Sequence, residues 1–296
     1  LYVNDITYTS NVLDFILFAD DTTILYPHKN IESKVDVVNA ELKEVSNWFK
    51  TNKLSVNASK TNYMLLGTSH MTSSKIQQDL NIILDNTVLD RVSHTKFLGV
   101  LIDENLTWKC HIDCVSKTLS RNIGIMNKLK YFVPDRILHT LYCTFILPYI
   151  NYGILIWGNT CKTYLDKLIK LQKWAIRTIS KSHYRSHTRP LFAKYNILNV
   201  NDMYSLELGV FMYKHSINDL PNAFNDYFTK RSDIHGYKTR HVNDLNLTKN
   251  KKHFSDHSVR TTGPILWNSI DKKLINSKTI KQFRNQYKKT LISNYE

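Results

Sequence analysis

The sequence predicts an α+β chain, and three observations predict it. Short runs rich in β-branched and aromatic residues recur through the first hundred residues. From Thr107 the apolar residues change to three- and four-residue steps, the period of an α-helix. After Ser182 that pattern loosens into polar, basic sequence with helical patches. These shifts divide the chain into expected regions 1–105, 106–182 and 183–296. Hydrophobic residues are 42% of the 296 and charged residues 22%, which is globular rather than disordered. Only 8 Gly and 6 Pro are present, too few for a collagen-like or low-complexity chain.

The elements follow in order. Residues 12–18 and 22–26 read as two strands of a hairpin, with Ala19-Asp20-Asp21 as its tight turn. Ile31, Val35, Val38, Leu42, Val45 and Phe49 mark an amphipathic helix. Asn30 is placed to cap its start and Asn52 to take the left-handed conformation at its end. Short strands are expected at 54–56 and 63–66, then a hairpin over 81–92 turning at Asp85-Asn86. A last strand over 96–102 carries Gly99 in its middle, where glycine often permits another backbone to approach.

Ile112, Val115, Leu119, Ile123, Met126 and Leu129 form the first helical stripe. Pro134 suits the first turn of a second helix, which runs to about Leu147. A third helix covers 164–181, another 200–217, and a final basic one bears Ile280, Phe283, Tyr287 and Leu291. Residues 232–258 read as a long polar loop. Residues 137–161 hold no Asp, Glu, Lys or Arg, but Pro148 splits the stretch and several polar side chains interrupt it. It is expected to be a buried helical hairpin rather than a membrane span.

Lys and Arg number 40 against 25 Asp and Glu, a net charge of +15. The excess is uneven: residues 1–60 have 6 basic and 8 acidic residues, whereas residues 107–194 have 15 and 3. A slightly acidic head before a basic body suggests cation chemistry in front and a polyanion partner behind. The chain opens on Leu1-Tyr2-Val3, without the basic flank and small-residue cleavage site of a signal peptide. It reads as starting inside a domain. The four cysteines make no disulfide framework. Cys110, His111 and Cys114 lack a second Cys/His pair at zinc-finger spacing.

The sharpest chemical signal is Phe18-Ala19-Asp20-Asp21. Two adjacent carboxylates repel unless a cation joins them, and hard divalent ions prefer oxygen ligands. The competing reading is an ordinary surface turn, because Asp favours turns.

The surrounding segments resemble the reverse transcriptases of non-LTR, LINE-type retrotransposons, closest to the jockey-like group. Leu1-Tyr2-Val3-Asn4-Asp5-Ile6 resembles the segment before their catalytic hairpin. Phe18-Ala19-Asp20-Asp21-Thr22 matches the aromatic-x-Asp-Asp core of the polymerase palm. Trp48-Phe49 and Asn52-Lys53-Leu54-Ser55-Val56-Asn57-Ala58-Ser59-Lys60-Thr61 are similar to the next palm motif. Lys96-Phe97-Leu98-Gly99-Val100 resembles the primer-grip hairpin. Leu147-Pro148-Tyr149, Tyr152-Gly153 and Trp157-Gly158 resemble the helical thumb, and Gly263-Pro264-Ile265-Leu266-Trp267-Asn268 a signature near the end of such reading frames. The motifs occur in the family's order along nearly the whole chain.

The resemblance implies an incomplete palm over 1–105, a helical thumb over 106–182 and a basic, mostly helical C-terminal region. Asp20 would ligate a catalytic pair of Mg²⁺ or Mn²⁺ ions, with Asp21 supporting it. Lys60 would approach the incoming triphosphate; alone, it reads equally as a solvated loop lysine. Leu98 and Gly99 would grip the primer. The partners implied are an RNA template, a DNA primer and deoxynucleoside triphosphates, with cytoplasmic and nuclear localisation and no membrane.

A complete palm takes another metal-binding Asp from an earlier strand, which this sequence does not contain. The 296 residues are therefore expected to be a fragment without polymerase activity. The alternative is a non-catalytic nucleic-acid-binding remnant of a mobile element.

Lys170, Lys173, Arg177 and Lys181 fall at three- and four-residue spacing, as a basic face that would track phosphates. Leu168, Leu171, Ala175 and Ile179 would face inward. The 17 tyrosines invite a base-stacking reading, but Tyr142, Tyr149 and Tyr152 sit in apolar stripes and are expected in the core.

Overall fold

The computed structural model describes residues 3–28, 31–67, 80–234, 244–247 and 257–295. Leu1 and Tyr2, the expected cap Asn30 and much of the loop expected over 232–258 lie outside the described residues. The fold is α+β, in two compact units, residues 1–106 and 107–296.

In the first unit, strands β1 (Asp14–Phe18) and β2 (Asp21–Leu25) pair antiparallel. Helix α1 (Val35–Thr51) follows a 3₁₀ turn at Glu32–Lys34. Val38, Leu42 and Val45 of α1 are buried with Ile6, Leu13, Ile82, Leu84 and Leu89 in one core. Phe15, Leu17, Ile24 and Trp48 pack against it. Asn39 joins α1 to the next strands: its Nδ2 donates to Asn81 O at 2.9 Å, and its Oδ1 accepts from Ile83 N at 2.9 Å.

The α1 C-terminus differs from expectation by one residue. Asn52 has φ −84°, and Lys53 takes the left-handed position at φ 56°. Leu54 N donates to Phe49 O and Lys53 N to Lys50 O, the paired bonds of a Schellman cap. That geometry places the left-handed residue one position beyond the cap residue.

The remaining strands are β3 (Asn62–Tyr63), β4 (Ile83–Leu84), β5 (Thr87–Val88), β6 (Asp90–Arg91), β7 (His94–Phe97) and β8 (Val100–Asp103). The pairs are β3 with β6, β4 with β5, and β7 with β8. Asp85 and Asn86, both at positive φ, turn β4 into β5 as the sequence predicts. The strand expected at 54–56 has no ladder partner: the chain there leaves the Schellman cap and enters the 3₁₀ turn Ala58–Lys60. The strand expected over 96–102 is two strands. Phe97 pairs with Val100, so Leu98 and Gly99 are a two-residue turn at φ 45° and 84°. Gly99 supplies a turn conformation, not a gap inside a strand.

The second unit is helical: α2 (Lys109–Leu129), α3 (Asp135–Phe145), α4 (Leu147–Asn151), α5 (Ile154–Trp157), α6 (Lys162–Ile179), α7 (Arg189–Lys194), α8 (Val200–Ser216), α9 (Val259–Ser269), α10 (Lys272–Ile275) and α11 (Ile280–Ser293). The predicted stripe of α2 is buried from Ile112 to Met126. Pro134 caps α3 from outside its first turn, and Pro148 opens α4. Among the described residues, no helix is long and apolar enough to cross a membrane.

Gln172 of α6 is wholly buried and ties three segments together. Its Nε2 donates to Tyr142 Oη at 2.8 Å and Leu198 O at 2.9 Å, and its Oε1 accepts from Val200 N at 3.0 Å. Tyr142 lies in the core as expected, whereas Tyr149 and Tyr152 are 45% and 56% exposed. The short helices α4 and α5 turn Ile150, Ile154 and Trp157 inward and leave those two rings outside.

Candidate functional site

The acidic turn is built by the β1–β2 register. Phe18 pairs with Asp21, so Ala19 and Asp20 form the whole loop. Phe15 and Leu17 point to the core, and the strand alternation turns Asp14, Ile16 and Phe18 outward. Ala19 stands at φ 53°, a left-handed conformation that a residue with a Cβ occupies at a cost of about 1–3 kcal/mol. Asp20 and Asp21 are both exposed. Neither carboxylate makes a hydrogen bond or ion pair among the described residues. Asp21 directly opposes Phe18, itself 59% exposed, across the ladder.

Lys60 closes the 3₁₀ turn Ala58–Lys60. Asn57 O accepts from Lys60 N and Thr61 N at 3.1 Å each, which fixes the backbone while the ammonium stays exposed. The Leu98–Gly99 turn rises from a braced base: Glu104 N donates to Ser93 O at 3.0 Å, and Arg91 pairs with Glu104 at 3.3 Å. Asp20–Asp21, Lys60 and Leu98–Gly99 thus occupy three separate turns of the first unit. No hydrogen bond or ion pair joins Asp20, Asp21 and Lys60 among the described residues.

The basic face of α6 is narrower than its spacing suggests. Lys170 and Lys173 are exposed, with no acidic partner among the described residues. Arg177 Nε donates to Ser186 O at 2.9 Å. Lys181 is not on the helix, which ends at Ile179. It takes the left-handed position beyond the cap at φ 52°. Ser182 N donates to Arg177 O and Lys181 N to Thr178 O, a second Schellman cap. Lys181 Nζ then reaches Val133 O at 2.9 Å and Asp135 at 3.7 Å. Two of the four cations are therefore drawn into the fold. Leu168, Ala175 and Ile179 are buried on the inner face, as expected, and Leu171 is half-buried.

The Gly263–Asn268 segment serves packing. A Cβ on Gly263 would stand 2.6 Å from Met212 Sδ. Asn268 clasps Leu245, accepting from its N at 3.0 Å and donating to its O at 2.9 Å. His111 is buried beside the Trp157 ring, and burial lowers its pKa.

Two Asp carboxylates on one turn match the hard-oxygen preference of Mg²⁺ or Mn²⁺. Among the described residues, no group of three or more His, Cys, Asp or Glu is placed to hold a metal ion.

The chain is similar to polymerases of insect mobile elements. It is 24% identical over 191 residues to "RNA-directed DNA polymerase from mobile element jockey" of Drosophila funebris, covering 62% of this chain and 20% of that protein. It is 26% identical over 197 residues to "Probable RNA-directed DNA polymerase from transposon BS" of Drosophila melanogaster, covering 64% and 21%. The jockey polymerase of Drosophila melanogaster is 22% identical over 211 residues, covering 70% and 22%. The resemblance to non-LTR element polymerases read from the motifs is thus borne out. The chain spans about one fifth of the length of these relatives. No family model matches it, and no solved structure matches it.

Proposed function

We propose that the chain is the carboxyl-terminal part of a non-LTR retrotransposon's RNA-directed DNA polymerase: the end of the palm in the first unit, and the thumb and C-terminal region in the second. The observation that carries this reading is the β1–β2 hairpin, which holds Asp20 in its two-residue loop and Asp21 at the adjoining ladder pair, both exposed and with no ion pair among the described residues. The similarity over more than half the chain to polymerases of this kind supports it.

The reaction is attack of a primer 3′-hydroxyl, which gives up its proton to solvent, on the α-phosphate of a deoxynucleoside triphosphate, directed by an RNA template; the α–β phosphoanhydride bond breaks and pyrophosphate leaves. Divalent ions, when bound, would supply charge neutralisation for the transfer. Asp20 and Asp21 would be the residues of this chain that hold them, through carboxylate oxygens carried by the β1–β2 hairpin. Lys60 donates a proton to the departing pyrophosphate from its fixed turn. The Leu98–Gly99 turn offers backbone to the primer, with no large side chain at Gly99. Lys170 and Lys173 neutralise template–primer phosphates.

Two experiments test the assignment. In a longer polymerase that includes this chain, Asp20→Asn should abolish primer extension on an RNA template and leave duplex binding nearly unchanged. Retained extension would reject the carboxylate role. The 296 residues alone should not extend a primer, because one turn reaches the ions from one side only; about 1 Å of misplacement can already cost ~10²-fold in rate. Extension by the purified chain that Asp20→Asn removes would overturn this.

A further inference from the structure

We infer that one loop end of the helical unit is a stacking platform for single-stranded nucleic acid, separate from the α6 lysine face. Two loops build it. Residues 130–134 join α2 to α3, and residues 180–188 join α6 to α7. Lys181 holds them side by side, donating to Val133 O at 2.9 Å and pairing with Asp135 at 3.7 Å. Arg177 secures the second loop through Ser186 O at 2.9 Å. The platform is thus braced by hydrogen bonds before any ligand arrives, which reduces the ordering cost of binding.

Its surface is aromatic and basic together. Tyr131, Phe132 and Tyr184 are 79%, 84% and 65% exposed, and none contributes to a core. Leaving three large rings in water forfeits their hydrophobic burial unless a partner covers them. Each tyrosine carries a cation at its ring. Lys130 Nζ lies 4.9 Å from the Tyr131 centroid, and the Arg185 guanidinium 5.1 Å from that of Tyr184. His183 adds a ring 4.4 Å from Tyr184.

The two loops and the helix ends that flank them hold six Lys and Arg residues (Lys130, Lys181 and Arg185 in the loops; Lys128, Arg136 and Arg189 on the flanking helices) and one acid, Asp135 at the start of α3, which is already paired with Lys181. Among the described residues, the other five cations pair with no acid. A strand of nucleotides alternates flat bases with phosphates. The rings can take bases and the adjacent cations phosphates. A duplex hides its base faces and could use only the charges. The surface therefore favours unpaired strands, RNA or DNA.

The test uses the full 296-residue chain and fluorescein-labelled 12-mers of oligo(rU) and oligo(dT), read by anisotropy at fixed salt. A 2-aminopurine base within the oligonucleotide reports stacking. The variant Tyr131→Ala/Phe132→Ala/Tyr184→Ala should weaken single-strand affinity at least tenfold and abolish the 2-aminopurine quenching, with an unchanged far-UV circular dichroism spectrum. Tyr131→Phe/Tyr184→Phe, which keeps the rings, should bind as the parent does. Affinity of the triple variant within twofold of the parent would overturn the inference, as would a parent that binds neither oligonucleotide. Vesicles containing phosphatidylserine form the competing arm. If the triple variant lost only vesicle binding, the patch would be a membrane surface and the inference would fail. The inference does not rest on the polymerase reading: its observations all lie in the second unit, and none of its readouts is primer extension.

Discussion

The two units carry their chemistry in different ways. In the first, each candidate residue stands on a tight turn or next to one, and two of the turns hold left-handed backbone: Ala19 at φ 53°, and Leu98 and Gly99 at 45° and 84°. A core of short strands and one helix holds those turns in place. In the second, the candidate groups lie on a long helix face and at loop ends, outside a core with many wholly buried side chains. A turn-borne carboxylate depends on backbone conformation, because one residue of slip would send Asp21 to the other face of the hairpin. A helix-borne lysine depends mainly on staying exposed and unpaired. The first unit is thus built for position and the second for charge supported by bulk.

The largest effect is expected in the core of the second unit. Phe283 is fully buried, stacked on Tyr213 at 4.7 Å between ring centroids. Phe283→Ala should cost about 3–5 kcal/mol in denaturant unfolding, whereas Phe18→Ala, on the outer face of the first unit's hairpin, should stay within about 0.5 kcal/mol. Equal losses would mean that the hairpin's outer face is covered.

Alkaline pH should act next. Burial raises the pKa of Tyr142 and Tyr204, of Tyr195 and Tyr287 to about 12, and of Tyr295, which also donates to Asp202; all five belong to the second unit. Unfolded tyrosine ionises near ~10. Between about pH 10 and 12 the unfolded chain loses these protons while the folded one keeps them. Stability present below pH 10 should therefore fall across that window, seen as helix loss by circular dichroism. A flat profile would show that burial does not hold those protons.

Ala19→Gly should sharpen the contrast in the opposite direction. It relieves the left-handed strain and should stabilise the first unit by about 1 kcal/mol, less the glycine's entropy in the unfolded chain. Smallest in stability is Lys170→Ala/Lys173→Ala, within about 0.5 kcal/mol. It should nevertheless lower the slope of log affinity against log salt for a primer–template duplex by about 2. An unchanged slope would remove these lysines from the interface.

Local signals in the sequence reached furthest where chemistry acts between near neighbours. The β1–β2 hairpin, the Asp85–Asn86 turn and the buried stripes of α1, α2 and α11 follow from β-branched runs, turn residues and three- and four-residue spacing. Gly99 shows the margin. Its motif resembled a hairpin, but a strand with a central glycine fits the same residues, and pairing of Phe97 with Val100 decides between them.

By itself the sequence determined the α+β class, the order of motifs, the likeness to non-LTR polymerases and the adjacency of Asp20 and Asp21. Each of these is carried by residue identity or by spacing within a few positions. The tertiary structure alone decided which charges remain free and which aromatics reach solvent. Lys181 and Arg177 share the spacing of Lys170 and Lys173, yet Val133, Asp135 and Ser186 claim them. Tyr149 and Tyr152 share the apolar company of Tyr142, yet only Tyr142 meets Gln172 in the core. The physical reason is that a helical period names a face without naming what packs on it. The partners of that face come from segments tens of residues away, and their approach sets burial, hydrogen bonding and free charge.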